Sequence, residues 1–213
     1  SHIVESTVNF LKANVNGIIV IKSTVTPDII EKLTSGPLGH RVVYNPEFLT
    51  EKAANEDFVN PSLHVFGGSR EVTDKVQKLY ENYSSCKPCP VYHMTAKEAS
   101  FVKYGINSYL ASKVLWFNQF YDIVEKNGGN YNTVINAMTT DNRVGMSHTA
   151  VPGYDGKRGF GGACFPKDTS AFLAFDNTFT VLREVIAVNN AMRSAYEKDD
   201  REKEQNVTYI VNN

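Results

Sequence analysis

Ile18-Ile19-Val20-Ile21-Lys22-Ser23-Thr24-Val25-Thr26-Pro27 is the stretch from which the fold is most directly inferred. It opens with four apolar β-branched residues, a run typical of a parallel strand that is covered on both faces. Thr26 and Pro27 then begin a predicted helix over residues 28–33, because proline is accommodated in the first turn of a helix. Ligands of open α/β sheets bind beyond the carboxyl ends of the strands, so Ser23 and Thr24 are candidate ligand-binding residues.

The segments on either side of this stretch alternate between helix and strand. Helices are predicted over residues 5–13 and 71–83, and strands over residues 41–44, 63–66 and 91–92. This alternation is typical of the α/β class and predicts part of a doubly wound, Rossmann-like parallel sheet. Glu47 and Glu51 follow the second strand, where they fit either a polar site or an acidic helix N-terminus.

One motif expected of such a sheet is absent from the sequence. No G-x-G-x-x-G follows any predicted strand, although this dinucleotide-binding motif belongs to the first strand–helix turn of the fold. Because the chain opens on a helix, we expect that turn to lie upstream, in a longer protein of which these 213 residues are a part.

Composition sets limits on the partners. The formal net charge is -1 and 42% of the residues are hydrophobic, which suffices for a sizeable core in one or two domains. The sequence has no basic stripe, membrane-spanning run or signal peptide, so we expect a soluble, cytoplasmic protein that binds neither nucleic acid nor membrane. Cys86 and Cys89 have CxxC spacing without a second ligand pair, which favours surface thiols over a metal or redox site.

A long helix is predicted from Thr95 to about Asn127. Thr95 and Glu98 have capping-box spacing, and the next residues after the helix are two glycines. Apolar residues occupy most sides of this helix, so we expect it to join domains or to form a homodimer interface. Lys103 and Asn107 lie four residues apart and share a face, either as a solvated pair or with a partner for the asparagine.

The chain after the long helix is predicted to be helical at residues 132–138 and 181–192. Residues 193–206 are rich in charge and are interpreted as a solvated helix end or linker. Residues 207–211 form a possible short strand. The whole is predicted to be an all-α domain, built on one long helix, that follows the α/β part.

A glycine-rich stretch carries the strongest chemical signal: Gly159-Phe160-Gly161-Gly162-Ala163-Cys164-Phe165-Pro166-Lys167-Asp168. Pro166 suits a first helical turn, which places Cys164 just before a helix N-terminus. The helix dipole and Lys167 would both favour a thiolate, the form that acts as a nucleophile. Gly161 and Gly162 leave room for a substrate close to the backbone. The alternative is a buried cysteine after a flexible turn.

This stretch resembles the active-site signature of the UDP-glucose/GDP-mannose dehydrogenase family. Three further blocks resemble the family in the same order: residues 21–25, the block Asn45-Pro46-Glu47-Phe48-Leu49-Thr50-Glu51, and Lys103-Tyr104-Gly105-Ile106-Asn107. The similarity extends over about residues 18–189. Lys52 departs from it, since the family usually has glycine there.

The resemblance implies a domain organisation and a reaction. Residues 1–92 would be the second half of an NAD-binding domain, residues 93–192 the helical central and dimerisation domain, and residues 193–213 a charged linker or tail. UDP-glucose would be oxidised to UDP-glucuronate, for polysaccharide biosynthesis, by two hydride transfers to NAD. Cys164 would hold the intermediate as a thiohemiacetal and then as a thioester.

The resemblance also implies roles for individual residues. Lys103 and Asn107 would stabilise oxyanions, and Asp168, Thr24 and Glu47 would order water or take a proton. The residues near NAD would be Ser23, Thr24, Glu51 and Lys167. The residues that contact the nucleotide sugar would be Glu47, Phe48, Leu49, Lys103, Asn107, Arg143, Phe160 and Gly161.

Three alternatives stay open. GDP-mannose could replace UDP-glucose as substrate. The chain could be a non-catalytic partial homologue that acts only as a dimerisation module. A cysteine hydrolase pairing Cys164 with His148 is the third, because the loop between the two residues would permit their contact.

Overall fold

The computed structural model describes residues 2–50 and 52–211. It separates into two compact units whose boundary lies between Gly105 and Ile106, within one long helix. None of the described helices is both long and apolar enough to cross a membrane.

The first unit is a four-stranded sheet with helices. Its elements are α1 (His2–Asn14), β1 (Ile19–Ile21), α2 (Pro27–Thr34), a 3-10 turn (Gly39–Arg41), β2 (Val42–Tyr44), α3 (Ala54–Val59), β3 (His64–Gly67), α4 (Arg70–Tyr83) and β4 (Val91–Met94). The strands lie in the order β1-β2-β3-β4. The predicted α/β class is confirmed, and the predicted helices and strands of this unit all form.

The sheet is mixed, whereas a parallel sheet was expected. β1 pairs with β2, and β3 with β4, in parallel, but β2 and β3 are antiparallel where Tyr44 faces Gly67. The two parallel pairs are joined by α2 and α4, which bury apolar residues. In the described part of the β2–β3 connection the only helix is the six-residue α3, which buries none of its residues and so cannot act as a covering crossover helix.

Burial differs between the strands. All three residues of β2 are buried, as expected of a strand covered on both faces. In β1, Ile19 and Ile21 are buried but Val20 is 39% exposed, so the prediction of two-sided cover is wrong for β1. The apolar run was sufficient to predict a strand, but its outer face lacks cover at this edge of the sheet.

The second unit is helical. The long helix α5 (Ala96–Lys126) enters it and is followed by α6 (Tyr131–Met138), α7 (Phe165–Phe175), α8 (Thr180–Arg193) and α9 (Asp200–Glu204). The α5 capping box forms, since the Thr95 backbone N–H donates to Glu98 Oε2 at 2.8 Å and the Glu98 N–H donates to Thr95 Oγ1 at 3.2 Å. Two small cores hold this unit, one around Leu115 and Phe160 and one around Phe117 and Tyr131.

One expectation for the helical unit is wrong in part. Residues 193–206 were interpreted as solvated and most of them are exposed, but Arg193 and Glu202 are buried and form an ion pair. On α5, Tyr109, Trp116 and Ile123 are more than half exposed within this chain, and a homodimer through the helix stays a prediction. The described residues 207–211 have no strand, so that possibility is also not realised.

Candidate functional site

Cys164 lies at the mouth of α7, as the sequence indicates. It is the N-cap residue of the helix, Pro166 is in the first turn, and the Asp168 N–H donates to the Cys164 carbonyl at 2.8 Å. The Cys164 side chain is exposed, so the alternative of a buried structural cysteine is contradicted. The first-turn N–H groups of α7 favour an anion at this position.

Asp168 lies at the centre of a polar cluster in the same unit. The residue is 1% exposed, and its carboxylate accepts hydrogen bonds from the buried Asn107 Nδ2 at 2.6 Å and from the exposed Lys167 Nζ at 2.7 Å. Asn107 is therefore a buried residue with a partner and not part of a solvated pair. The ammonium of Lys167 neutralises Asp168, whereas the sequence suggested that it would favour the Cys164 thiolate.

Lys103 brings together a second group of predicted residues, in the first unit. Its side chain is buried, and Nζ donates to the backbone carbonyl of Glu47 at 2.6 Å. The same ammonium lies 5.5 Å from the centroid of the Phe48 ring, within cation–π range. Glu47, Phe48 and Leu49 also line a cleft of about 170 Å³, together with Lys22 and other residues of the first unit.

The two hydroxyl residues after β1 lie where a ligand could reach them. Ser23 is exposed and Thr24 is half-buried, directly beyond the carboxyl end of the strand. The backbone at this point is fixed by Ser100, whose hydroxyl donates to the Val25 carbonyl at 2.6 Å. Glu51, predicted to lie near the cofactor, falls outside the described residues.

Arg143 is not brought near the other predicted residues of its unit by any described contact. Its side chain is 89% exposed and forms an ion pair with Asp141 at 2.6 Å. The hydrogen bonds between the two raise the pKa of Arg143 and lower the pKa of Asp141.

The backbone of the glycine-rich loop is held by residues that the sequence analysis did not select. Asn189 forms two hydrogen bonds with the Phe160 backbone, accepting from its N–H at 2.7 Å and donating to its carbonyl at 3.0 Å. Asn118 Oδ1 accepts from the Gly159 N–H at 3.1 Å. Both asparagines are buried on apolar helices, which is a signal that the sequence does contain.

Phe160 and Gly161 have surroundings that differ from those expected. Phe160 is buried in the core of its unit, although it also lines a cleft of about 250 Å³ with Asn190, Thr208 and others. A side chain at Gly161 would overlap the guanidinium of Arg193 and the carboxylate of Glu202. The space beside this glycine is thus occupied by the protein's own ion pair and not left for a substrate.

The structure gives less support for a chemical role of the remaining candidate residues. Cys86 and Cys89 are half-buried thiols, and burial raises the pKa of Cys89. His148 packs its ring against Phe165 with centroids 5.7 Å apart, and burial lowers the pKa of the histidine. Among the described residues, no group of three or more His, Cys, Asp or Glu side chains is arranged to hold a metal ion.

The chain thus combines an α/β sheet with a helical unit that carries an exposed cysteine at a helix mouth. Two family models match: the NAD binding domain of the UDP-glucose/GDP-mannose dehydrogenase family over residues 2–84, and its central domain over residues 97–191. The chain belongs to this family.

Several curated relatives share this similarity. UDP-glucose 6-dehydrogenase of Rhizobium meliloti is 36% identical over 205 residues, which is 87% of this chain and 44% of that protein. A UDP-glucose 6-dehydrogenase of Bacillus subtilis is 34% identical over 185 residues, covering 81% of this chain and 40% of that protein. The chain therefore spans less than half the length of the curated relatives it matches.

Solved structures agree on the fold. The UDP-glucose dehydrogenase of the archaeon Pyrobaculum islandicum superposes with a TM-score of 0.72 and 30% identity, covering 88% of this chain and 45% of that one. A UDP-D-ManNAc dehydrogenase of Pyrococcus horikoshii has a TM-score of 0.74, with 90% of this chain and 46% of that one covered. At 22% identity, the second comparison bears on the fold alone.

Proposed function

We propose that this chain provides the second half of the NAD domain and the central domain of a nucleotide-sugar 6-dehydrogenase that oxidises UDP-glucose to UDP-glucuronate. The observation that carries the proposal is the exposed Cys164 at the mouth of α7, one turn before the buried Asp168, which is bonded to Asn107 of α5 and to Lys167. The names of the relatives favour UDP-glucose as the sugar nucleotide.

The residues present fit part of an NAD site. Ser23 and Thr24 offer hydroxyl groups beyond the carboxyl end of β1, the usual ligand position in such sheets. Glu51 and Lys167 are further proposed contacts. When bound, NAD supplies the hydride acceptor for the two oxidations of the sugar C6 carbon.

The role of Cys164 follows from the chemistry of the intermediate. In the proposal its sulfur adds to the C6 aldehyde and forms a thiohemiacetal, which keeps the aldehyde bound. After the second oxidation the sulfur is held in a thioester, which water cleaves to give the carboxylate and the thiol. The attacking form is the thiolate, which a helix N-terminus stabilises, and the exposed Cys164 is accessible to the aldehyde.

Four other side chains have proposed catalytic roles. Asn107 donates an N–H and Lys103 an N⁺–H to the oxyanion, and loss of such a donor typically costs about 10²–10³ in rate. Lys167 and Asn107 keep Asp168 in one orientation, from which it positions water or takes a proton. Thr24 and Glu47 are proposed to order the hydrolytic water. The proposed substrate contacts also include Phe48, Leu49 and Arg143. For Phe160 and Gly161 the proposed contact is through the backbone, since the Phe160 side chain is buried and the Cβ side of Gly161 is filled by the ion pair.

A homodimer through α5 is the proposed assembly. Tyr109, Trp116 and Ile123 are spaced by seven residues and form an exposed apolar stripe on the helix. We expect Trp116→Glu to convert a dimer into a monomer in sedimentation analysis, with Tyr83→Phe as a surface control. A wild type that is monomeric at all concentrations would contradict the dimer. A cytoplasmic location and the domain limits given above stay predictions.

The function is tested by NADH formation, followed by absorbance, when the protein is mixed with NAD and UDP-glucose. The assay is run on the 213-residue chain and on the protein as encoded in its gene. We expect two NADH per sugar, lost in Cys164→Ala and retained in the matched control Cys86→Ala. Activity with GDP-mannose but not with UDP-glucose would show that GDP-mannose is the substrate. No NADH with any nucleotide sugar would favour the non-catalytic homologue.

A further inference from the structure

The buried ion pair of Arg193 and Glu202 lies against the backbone that leads to Cys164. We propose that this pair is a positioning device for the glycine-rich loop, and that it acts on the reaction through Cys164 without touching the substrate. The inference deepens the proposed function and rests on it. It assigns a role to the charged segment after α8, which composition alone identifies as a solvated tail.

Glu202 is the residue that contacts the loop. Its side chain is fully buried, and Oε1 accepts hydrogen bonds from the Gly162 N–H at 3.3 Å, from Arg193 Nη2 at 2.5 Å and from the Tyr209 hydroxyl at 2.7 Å. Oε2 accepts from the Asp199 N–H at 3.0 Å, as part of the capping box of α9. Both carboxylate oxygens are thus used, one of them on the loop.

Arg193 connects this carboxylate to the start of the loop. Its side chain is 1% exposed, and Nη1 forms an ion pair with Asp155 at 2.6 Å, four residues before Gly159. The guanidinium also lies 5.8 Å from the centroid of the Tyr209 ring. Through Arg193 and Glu202, the chain is held on both sides of the turn formed by Gly159 to Gly162.

The glycines of the loop leave room for the ion pair. Gly161 lacks the Cβ that would overlap both charged groups, and Gly159 and Gly162 have positive φ angles of 76° and 74°. Cys164 follows two residues after the N–H that Glu202 accepts. A shift of the carboxylate therefore moves the backbone immediately before the cysteine.

A buried charge needs a reason, since replacing such a pair by apolar residues is often neutral or stabilising. Burial alone would raise the pKa of Glu202, but hydrogen bonds from Tyr209, the Asp199 backbone and Arg193 hold it below its usual value. Glu202 is thus ionised at neutral pH and can accept several N–H and O–H donors at once. An apolar residue of the same size would fill the space but could not hold the Gly162 N–H.

The test compares Glu202→Gln with Glu202→Met, two variants of similar size that both remove the charge. Glutamine can still accept from the loop N–H, and methionine cannot. The readout is the rate at which iodoacetamide alkylates Cys164 at pH 7, measured by peptide mass spectrometry with Cys86 as an internal reference. Cys164 is already exposed, so access does not limit the rate and the thiolate at the helix mouth does.

We expect Glu202→Met to slow alkylation of Cys164 about tenfold, and Glu202→Gln to stay within about threefold of wild type. Equal rates in the two variants, or faster alkylation in Glu202→Met, would show that the pair only fills space and would overturn the proposal. If Glu202→Met does not fold, as judged by Trp116 fluorescence, Tyr209→Phe replaces it, with Tyr83→Phe as control. We then expect about threefold slowing in Tyr209→Phe alone, and no difference overturns the proposal.

The alkylation assay contains neither NAD nor sugar, so its failure differs from a failure of the proposed function. If the wild type forms no NADH but Cys164 is alkylated at different rates in the Gln and Met variants, the dehydrogenase proposal fails and the positioning role of Glu202 stands. If the wild type forms two NADH per sugar but the two variants are alkylated at the same rate, the positioning role fails and the dehydrogenase proposal stands.

Discussion

Replacing Gly161 by alanine should destabilise the helical unit, although alanine is favoured over glycine in most positions. The added methyl group would overlap the guanidinium of Arg193 and the carboxylate of Glu202, both of which are buried. Gly105 provides the matched control. It lies within α5, and a methyl group there would have no heavy atom within 4 Å beyond its helix and chain neighbours.

The magnitudes can be worked from these surroundings. Overpacking of a close-packed site costs about 1–3 kcal/mol, and losing one partner of a buried ion pair costs about 3–5 kcal/mol. Gly161→Ala displaces the pair without removing a partner, so we expect a loss of roughly 2–3 kcal/mol. Gly105→Ala should instead raise the free energy of unfolding by about 0.5–1 kcal/mol, because alanine loses less backbone entropy in a helix.

Urea unfolding followed by tryptophan fluorescence measures both changes. Trp116 is the sole tryptophan of the sequence and lies on α5 in the unit that contains Gly161. With a denaturant slope of about 1.5 kcal/mol/M, a loss of about 2–3 kcal/mol lowers the urea midpoint by roughly 1.3–2 M. An unchanged midpoint for Gly161→Ala, beside a raised one for Gly105→Ala, would refute the assigned contact between Gly161 and the ion pair.

Three further predictions concern individual polar contacts. Asn189→Leu leaves the buried N–H and carbonyl of Phe160 without partners and should cost about 2–4 kcal/mol by the same urea assay. Asn190→Leu, which removes one exposed hydrogen bond to the Ile210 carbonyl, should cost about 1 kcal/mol. Thr95→Ala removes the N-cap of α5 and should cost about 1 kcal/mol, while Thr95→Ser should be close to neutral. Because the pKa of Glu202 is lowered in the fold, the stability it contributes is complete above its unfolded pKa of about 4.3 and is lost as pH falls through the folded value. The gap in Tm between wild type and Glu202→Gln should therefore narrow below about pH 4, and a constant gap down to pH 3 would contradict the assignment.

The elements of this fold could be predicted because their signals are local. A β-branched run at residues 18–21, a proline at position 27 and a capping box at Thr95 each act within one turn or one strand. Their ends in the structure differ from the predicted ends by a few residues. The position of Cys164 before α7 was predictable for the same reason, since Pro166 specifies the first turn.

Strand direction and strand cover were not predictable from these signals. The antiparallel pairing of β2 with β3 depends on a connection whose one described short helix buries none of its residues, and the exposure of Val20 depends on which elements pack on that face of the sheet. Hydrophobic periodicity and composition describe one segment at a time, whereas strand direction and strand cover depend on how two segments pack together.

The glycine-rich loop shows why the candidate site was only partly predictable. Its backbone N–H groups donate hydrogen bonds to the side chains of Asn118, Asn189 and Glu202, which lie 41, 29 and 40 residues away in sequence. A buried asparagine on an apolar helix signals that some partner exists, but it does not identify the partner. A charged segment gives weaker guidance still, because a solvated glutamate and Glu202 have the same local sequence character. The glycine at position 161 was interpreted as space for a substrate, yet the structure fills that space with Arg193 and Glu202. In both interpretations glycine is needed because another group lies close to the backbone. Only the tertiary structure shows that this group is the ion pair and not a substrate.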